Sequence, residues 1–150
     1  MMNQINNDEL LLGNNISYSN SEYLIEFDGG TSCNIPRLGY GKGYGSFQVN
    51  GGDIYRVEFG MGHSCNSAEI LTLCAALQEL KIQCPYAENV LCRGDSKIAL
   101  KWIQYGGKPS KNASDMFIAA INKLRKLVRR FKSVRSQWRG REHSVKLFGH

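Results

Sequence analysis

The chain has 150 residues and a formal net charge of +6, from 19 lysines and arginines against 13 aspartates and glutamates. That length suits one domain with enough interior to be stable without staples. No apolar run approaches a membrane span, so a membrane partner is not expected. The five cysteines, odd in number and without a CxxC, argue against a disulfide framework or structural zinc. They favour a reducing, cytoplasmic setting.

Residues 1–20 are rich in Asn and Ser, and Leu10, Leu11 and Leu12 are too few for a signal-peptide core. They are expected to form a poorly ordered arm, with at most a short edge strand at 9–12, ahead of a domain spanning 21–150. Residues 23–27 are apolar and aromatic and run into Asp28-Gly29-Gly30, which reads as a strand ending in a turn. Residues 38–49 alternate in bulk, Asn50-Gly51-Gly52-Asp53 marks a tight turn, and 54–59 alternate again. These three strands make an antiparallel meander.

The period then becomes helical, with Ile70, Leu73, Cys74, Leu77 and Leu80 on one stripe, Asn66 or Ser67 as the cap, and Pro85 helping to end the segment. Residues 90–92 form a short strand leading to Arg93-Gly94-Asp95. A helix carrying Ile98, Trp102 and Ile103 follows and is broken by Gly106, Gly107 and Pro109, with Trp102 expected in the core. Phe117, Ile121, Leu124, Val128 and Phe131 make an amphipathic stripe. Residues 133–138 read as a last strand, and 139–150 as a loop with one helical turn. The order β-β-β-α-β-α-α-β predicts an α/β architecture, one mixed sheet covered by helices.

Three acids fall at strand ends or a helix start. Asp28 closes the first strand, Asp95 closes the fourth, and Glu69 sits in the first turn of the first helix. Neighbouring first and fourth strands would bring Asp28 and Asp95 together, with Glu69 dropped beside them. Taken singly, an Asp before Gly is usually a turn residue, and a Glu early in a helix usually serves the dipole. A cluster of the three is costly without cations, because close like charges raise each other's pKa. Two magnesium ions, with manganese as a substitute, would offset that cost. They would activate a water and stabilise the leaving oxygen in a phosphoryl displacement. Basic residues crowd the chain from Lys108 onward (Lys123, Arg125, Lys126, Arg129, Arg130, Arg139 and Arg141 among them). This one-sided balance fits a polyanionic partner, and equally a solvated helix face.

The segments Phe27-Asp28-Gly29-Gly30 with Asn34 beyond, Ser64-Cys65-Asn66-Ser67-Ala68-Glu69, and Arg93-Gly94-Asp95-Ser96 resemble, in order, three motifs of the ribonuclease HI family. The likeness spans about residues 23–138. It implies a ribonuclease H-like fold, with a five-stranded mixed sheet in the order 3-2-1-4-5. It also implies an endonuclease, acting as a monomer, that cuts the RNA strand of an RNA–DNA hybrid. In that likeness Asp28, Glu69 and Asp95 are catalytic metal ligands. The backbone of Gly29 and the side chains of Asn34 and Asn66 sense RNA 2′-hydroxyls, and Asn66 also caps its helix.

The family usually adds a fourth carboxylate after the last strand, often an Asp on a final helix. No Asp follows residue 138 here. His150 is the expected replacement at the catalytic metal site, ahead of Glu142, while His143 resembles the mobile-loop histidine of some members. The family's basic handle is also missing. Affinity should therefore come from phosphate contacts by the basic helix at 117–131 and by Arg139 and Arg141.

Two alternatives stand beside this reading. An exonuclease or junction resolvase on the same fold is one. The exonuclease pattern places Asp, one residue, then Glu, whereas Glu26-Phe27-Asp28 runs the other way, and Glu26 is expected on the face opposite Asp28. The other alternative is a non-catalytic RNA- or hybrid-binding module, motivated by the missing acid and handle.

Overall fold

A computed structural model describes residues 21–35 and 40–149, with the backbone alone at 33–35 and 40. The arm expected at 1–20 and His150 lie outside the described residues. Strands β1 (Glu22–Ile35), β2 (Tyr40–Val49) and β3 (Ile54–His63) precede helix α1 (Cys65–Gln83). Then follow β4 (Asn89–Gly94), α2 (Lys97–Gln104), α3 (Asp115–Val128), β5 (Ser133–Trp138) and α4 (Arg141–Phe148). The five strands form one sheet in the order β3-β2-β1-β4-β5. β1, β2 and β3 pair antiparallel, and β4 pairs parallel to both β1 and β5. This is the predicted topology.

Side-chain alternation sorts the strands into two faces. Ile25, Phe27, Phe47 and Val49 are buried with Ile70, Leu73, Leu77 and Leu80 of α1, and Ile121 and Leu124 of α3 complete the core. Two glycines set how closely α1 lies on the sheet. A Cβ at Gly45 would come within 1.8 Å of Thr72 Oγ1, and one at Gly29 within 2.8 Å of the same atom and 3.0 Å of Glu69 Cα. These paired glycines, opposite each other across β1 and β2, bring the start of α1 against the strand that carries Asp28.

Trp102 is core, 6% exposed, as expected. Four local features differ from the sequence reading. β1 does not end at Phe27 but continues through Asp28-Gly29-Gly30 to Ile35, because these glycines serve close packing and not a turn. The cap of α1 is Ser64, in a reciprocal pair with Ser67: each hydroxyl accepts the other's backbone N–H, at 3.2 and 3.1 Å. Asn66 therefore lies inside the first turn and is not the cap, and Glu69 stands beyond that turn. Residues 141–148, read as loop with one turn, form an eight-residue helix that ends at Gly149 with a left-handed φ of 82°.

Candidate active site

β1 pairs with β4 only as far as Glu26 opposite Arg93. Beyond that point β1 runs on without its parallel neighbour, and Asp28 faces the space that β4 vacates at Gly94. Asp95 follows at once, held between the end of β4 and Ser96, whose hydroxyl caps α2 by accepting from Ala99 N at 3.1 Å. Glu69 comes from the flank of α1 that the glycines admit. The three carboxylates each present an oxygen, all within 4.8 Å of one another. The sequence order thus becomes a single cluster.

Burial and mutual repulsion govern the protons here. Asp28, 4% exposed, has its pKa pushed up to about 7, first by burial, then by the charges of Asp95 and Glu69 and a hydrogen bond with Asp95, against an opposing pull from Arg141. Glu69 is also pushed up to about 7, by burial above all and by Asp95, although a Ser96 hydroxyl bond and Arg141 act the other way. Near neutrality the cluster holds protons that a divalent cation could replace. An all-oxygen donor set of this compactness fits magnesium or manganese.

Asp28, Gly29, Gly30, Thr31, Tyr44, Cys65, Glu69 and Arg141 line one cleft of about 420 Å³. Among the described residues of α4 it is therefore Arg141, a cation, that lines the cleft with the acids, and Glu142 does not. Asn66 lines a separate groove with Ser64, Ser110, Asn112, Ser114 and Phe117. The side chain of Asn34 and all of His150 fall outside the described residues, so neither is placed.

The sequence reading put Glu26 opposite Asp28, and the structure corrects this. Residues two apart in a strand share a face, and Glu26 lies on the face that carries α4. It is buried, at 9% exposure, and its carboxylate accepts from His143 Nε2 at 2.5 Å, with Arg93 Nε 3.5 Å away. Arg139 Nη2 donates to His143 Nδ1 at 3.1 Å. A guanidinium has no acceptor, so Nδ1 must carry the lone pair and Nε2 the proton given to Glu26. His143 is thus fixed on α4 and not carried by a loop, as its resemblance to the mobile-loop histidine implied. The same contacts engage Arg139. With the Arg56 guanidinium donating to the carbonyl of Phe148 at 3.2 Å, this chain ties α4 to the sheet and so sets where Arg141 projects. Glu26 and His143 are not legible as a pair in the sequence, because 117 positions separate them. The only local hint is an acid set between two core residues, Ile25 and Phe27, in an otherwise apolar strand.

The sheet order, the crossing of α1 and the acid cluster at the end of β4 define a ribonuclease H-like fold. RNase H1 from the halophilic archaeon Halobacterium salinarum has it at a TM-score of 0.66 and 19% identity, over 82% of this chain and 89% of that one. The N-terminal RNase H domain of a Mycobacterium tuberculosis protein matches at 0.67 and 18% identity, over 83% and 92%. LC11-RNase H1, from a compost metagenome and crystallised with an RNA/DNA hybrid, matches at 0.64 and 18%, over 83% and 89%. No protein-family model and no curated protein sequence matches the chain. Among the described residues, no helix is long and apolar enough to cross a membrane.

Proposed function

We propose that the protein is a divalent-metal-dependent endonuclease that hydrolyses the RNA strand of RNA–DNA hybrids, leaving 5′-phosphate and 3′-hydroxyl ends. One observation carries the reading: three carboxylates from β1, α1 and the end of β4 converge within 4.8 Å. A protein that merely bound polyanions would gain nothing from concentrated negative charge there. The hybrid bound by LC11-RNase H1, a neighbour in fold, supports the choice of substrate.

Asp28, Glu69 and Asp95 would hold two magnesium ions, or manganese in their place, with His150 as a further ligand. When bound, the ions supply Lewis-acid activation of water and stabilisation of the departing oxygen. The remaining work falls to the chain. Arg141, beside the acids, draws in the scissile phosphate. The backbone of Gly29 with Asn34 and Asn66 reads 2′-hydroxyls, and Arg139 and the basic side of α3 take flanking phosphates. The protein acts as a monomer. The free thiols of Cys65, Cys74, Cys84 and Cys92 accord with a reducing cytoplasm. Residues 21–150 are proposed as the nuclease domain.

The test is a hybrid labelled separately on each strand, incubated with magnesium and with chelator. RNA-strand products with 3′-hydroxyl ends, formed only with metal, support the proposal. Tight binding without products in magnesium or manganese would move the reading to a non-catalytic hybrid-binding module.

A further inference from the structure

Trp138 is a large apolar side chain left open beside the acid cluster. It closes β5, the outer strand of the sheet, opposite Gly94. The residue is 51% exposed, whereas the other tryptophan, Trp102, is 6% exposed. The ring is nevertheless held in place. Its indole N–H donates to the main-chain oxygen of Asp95 at 3.1 Å, and the next residue's N–H donates to Gly94 O at 2.8 Å. The Lys97 ammonium stands 4.9 Å from the ring centroid, within cation–π range. Lys101 follows one turn along the same side of α2, with its ammonium 4.8 Å from the Tyr105 ring.

A fixed, half-open indole hydrogen-bonded to a cluster residue, with the Lys97 ammonium beside it, has the composition of a nucleotide-stacking platform. Aromatic faces accept bases or sugars of any sequence, and the neighbouring cations take the phosphates. We propose that Trp138 and Lys97 form a nucleotide subsite flanking Asp95, on the β5 side of the cluster away from the Gly29–Thr31 cleft. It would receive the nucleic-acid strand as it leaves the carboxylates, the ring packing on a base or sugar and the ammonium on its phosphate. This rests on the reading that the cluster acts on nucleic acid. Because Trp138 also steadies the backbone of Asp95, occupancy of the subsite and placement of a metal ligand share one side chain.

Trp138 reports on itself. In Trp102→Phe it is the sole tryptophan, and its emission is followed as unlabelled RNA–DNA hybrid is added in chelator, where cleavage is blocked. If that variant does not fold, the difference between wild type and Trp138→Phe isolates the same ring. We expect saturable quenching. In chelator, Trp138→Leu should weaken hybrid binding about tenfold, while Trp138→Phe, which keeps a ring and loses the N–H, should stay within about threefold. Circular dichroism checks that both variants fold. Unchanged emission at saturating hybrid, or wild-type affinity in Trp138→Leu, would overturn the subsite. Single-stranded RNA, single-stranded DNA and duplex DNA are titrated alongside. Quenching by any of these in a protein that cleaves no hybrid would uphold the subsite and reject the hybrid nuclease. Silence toward all, in a protein that does cleave hybrid, would reject the subsite alone.

Discussion

Replacing Asp28 by Asn should abolish cleavage and yet stabilise the metal-free fold at alkaline pH. In the native state the Asp28 carboxyl titrates near about 7 against an ordinary 3.8, chiefly through burial and then through Asp95 and Glu69. The folded chain thus holds a proton that the unfolded chain has released. Stability is fully present below about pH 4 and is lost as pH rises through about 7. The gap of about three pKa units, at roughly 1.4 kcal/mol each, sets a ceiling of about 4 kcal/mol at pH 8. Water entry and side-chain relaxation reduce this, so we expect on the order of 2–4 kcal/mol. Asn has the same shape and no charge at any pH, so the variant escapes the loss. Urea unfolding in chelator should show Asp28→Asn more stable than wild type at pH 8, with the gain shrinking toward zero near pH 4. Magnesium at pH 8 should reverse the ranking, since ions binding only the folded state stabilise it. A wild type at least as stable as the variant at pH 8 in chelator would refute the electrostatic reasoning, as would a gain independent of pH.

Other predictions address how the cluster is assembled. Gly45→Ala should cost about 1–3 kcal/mol or more in urea unfolding, because its Cβ would meet Thr72 Oγ1 at 1.8 Å. Adding Thr72→Ala should recover only part of this, since Thr72 Cβ itself lies 2.7 Å away; full recovery would mean that α1 is free to shift. His143→Gln, which can both donate to Glu26 and accept from Arg139, should retain most of the melting temperature and turnover, whereas His143→Leu should lose both, as measured by calorimetry and steady-state assay. Hybrid affinity should fall with salt along a linear log–log plot, and Arg141→Ala should flatten its slope by about one contact's worth; an unchanged slope would remove Arg141 from the phosphate path.

Much of this architecture was legible because it rests on local signals. Alternation and helical period placed the elements, the positions of Asp28 and Asp95 at strand ends and of Glu69 early in a helix pointed to the cluster, and the sheet order followed from the resemblance. What escaped depended on partners distant in sequence. The glycines after Asp28 have the chemistry of a turn, and only the approach of Thr72 and Glu69 explains why a strand runs through them. Ser64, Asn66 and Ser67 can all cap a helix, and the path of the chain out of β3 selects Ser64. The last helix has a glycine at its start with no side-chain cap, and its short sequence carries too few apolar residues for a visible stripe. It forms because Glu26 and Arg56 on the sheet hold His143 and the Phe148 carbonyl, a tertiary decision invisible to local periodicity. For the same reason the arginine it delivers to the acids could not be read from spacing.

In the proposed function, Asp28, Glu69 and Asp95 together make a metal-dependent centre that cuts RNA paired to DNA. Single-turnover cleavage of a strand-labelled hybrid, compared between wild type and Asp28→Asn, Glu69→Gln and Asp95→Asn at equal folded concentration with magnesium, tests it most directly. The wild type should cleave the RNA strand, and each variant should lose at least about a thousandfold in rate. Wild-type cleavage that survives any of these substitutions, or that falls equally on the DNA strand, would contradict it.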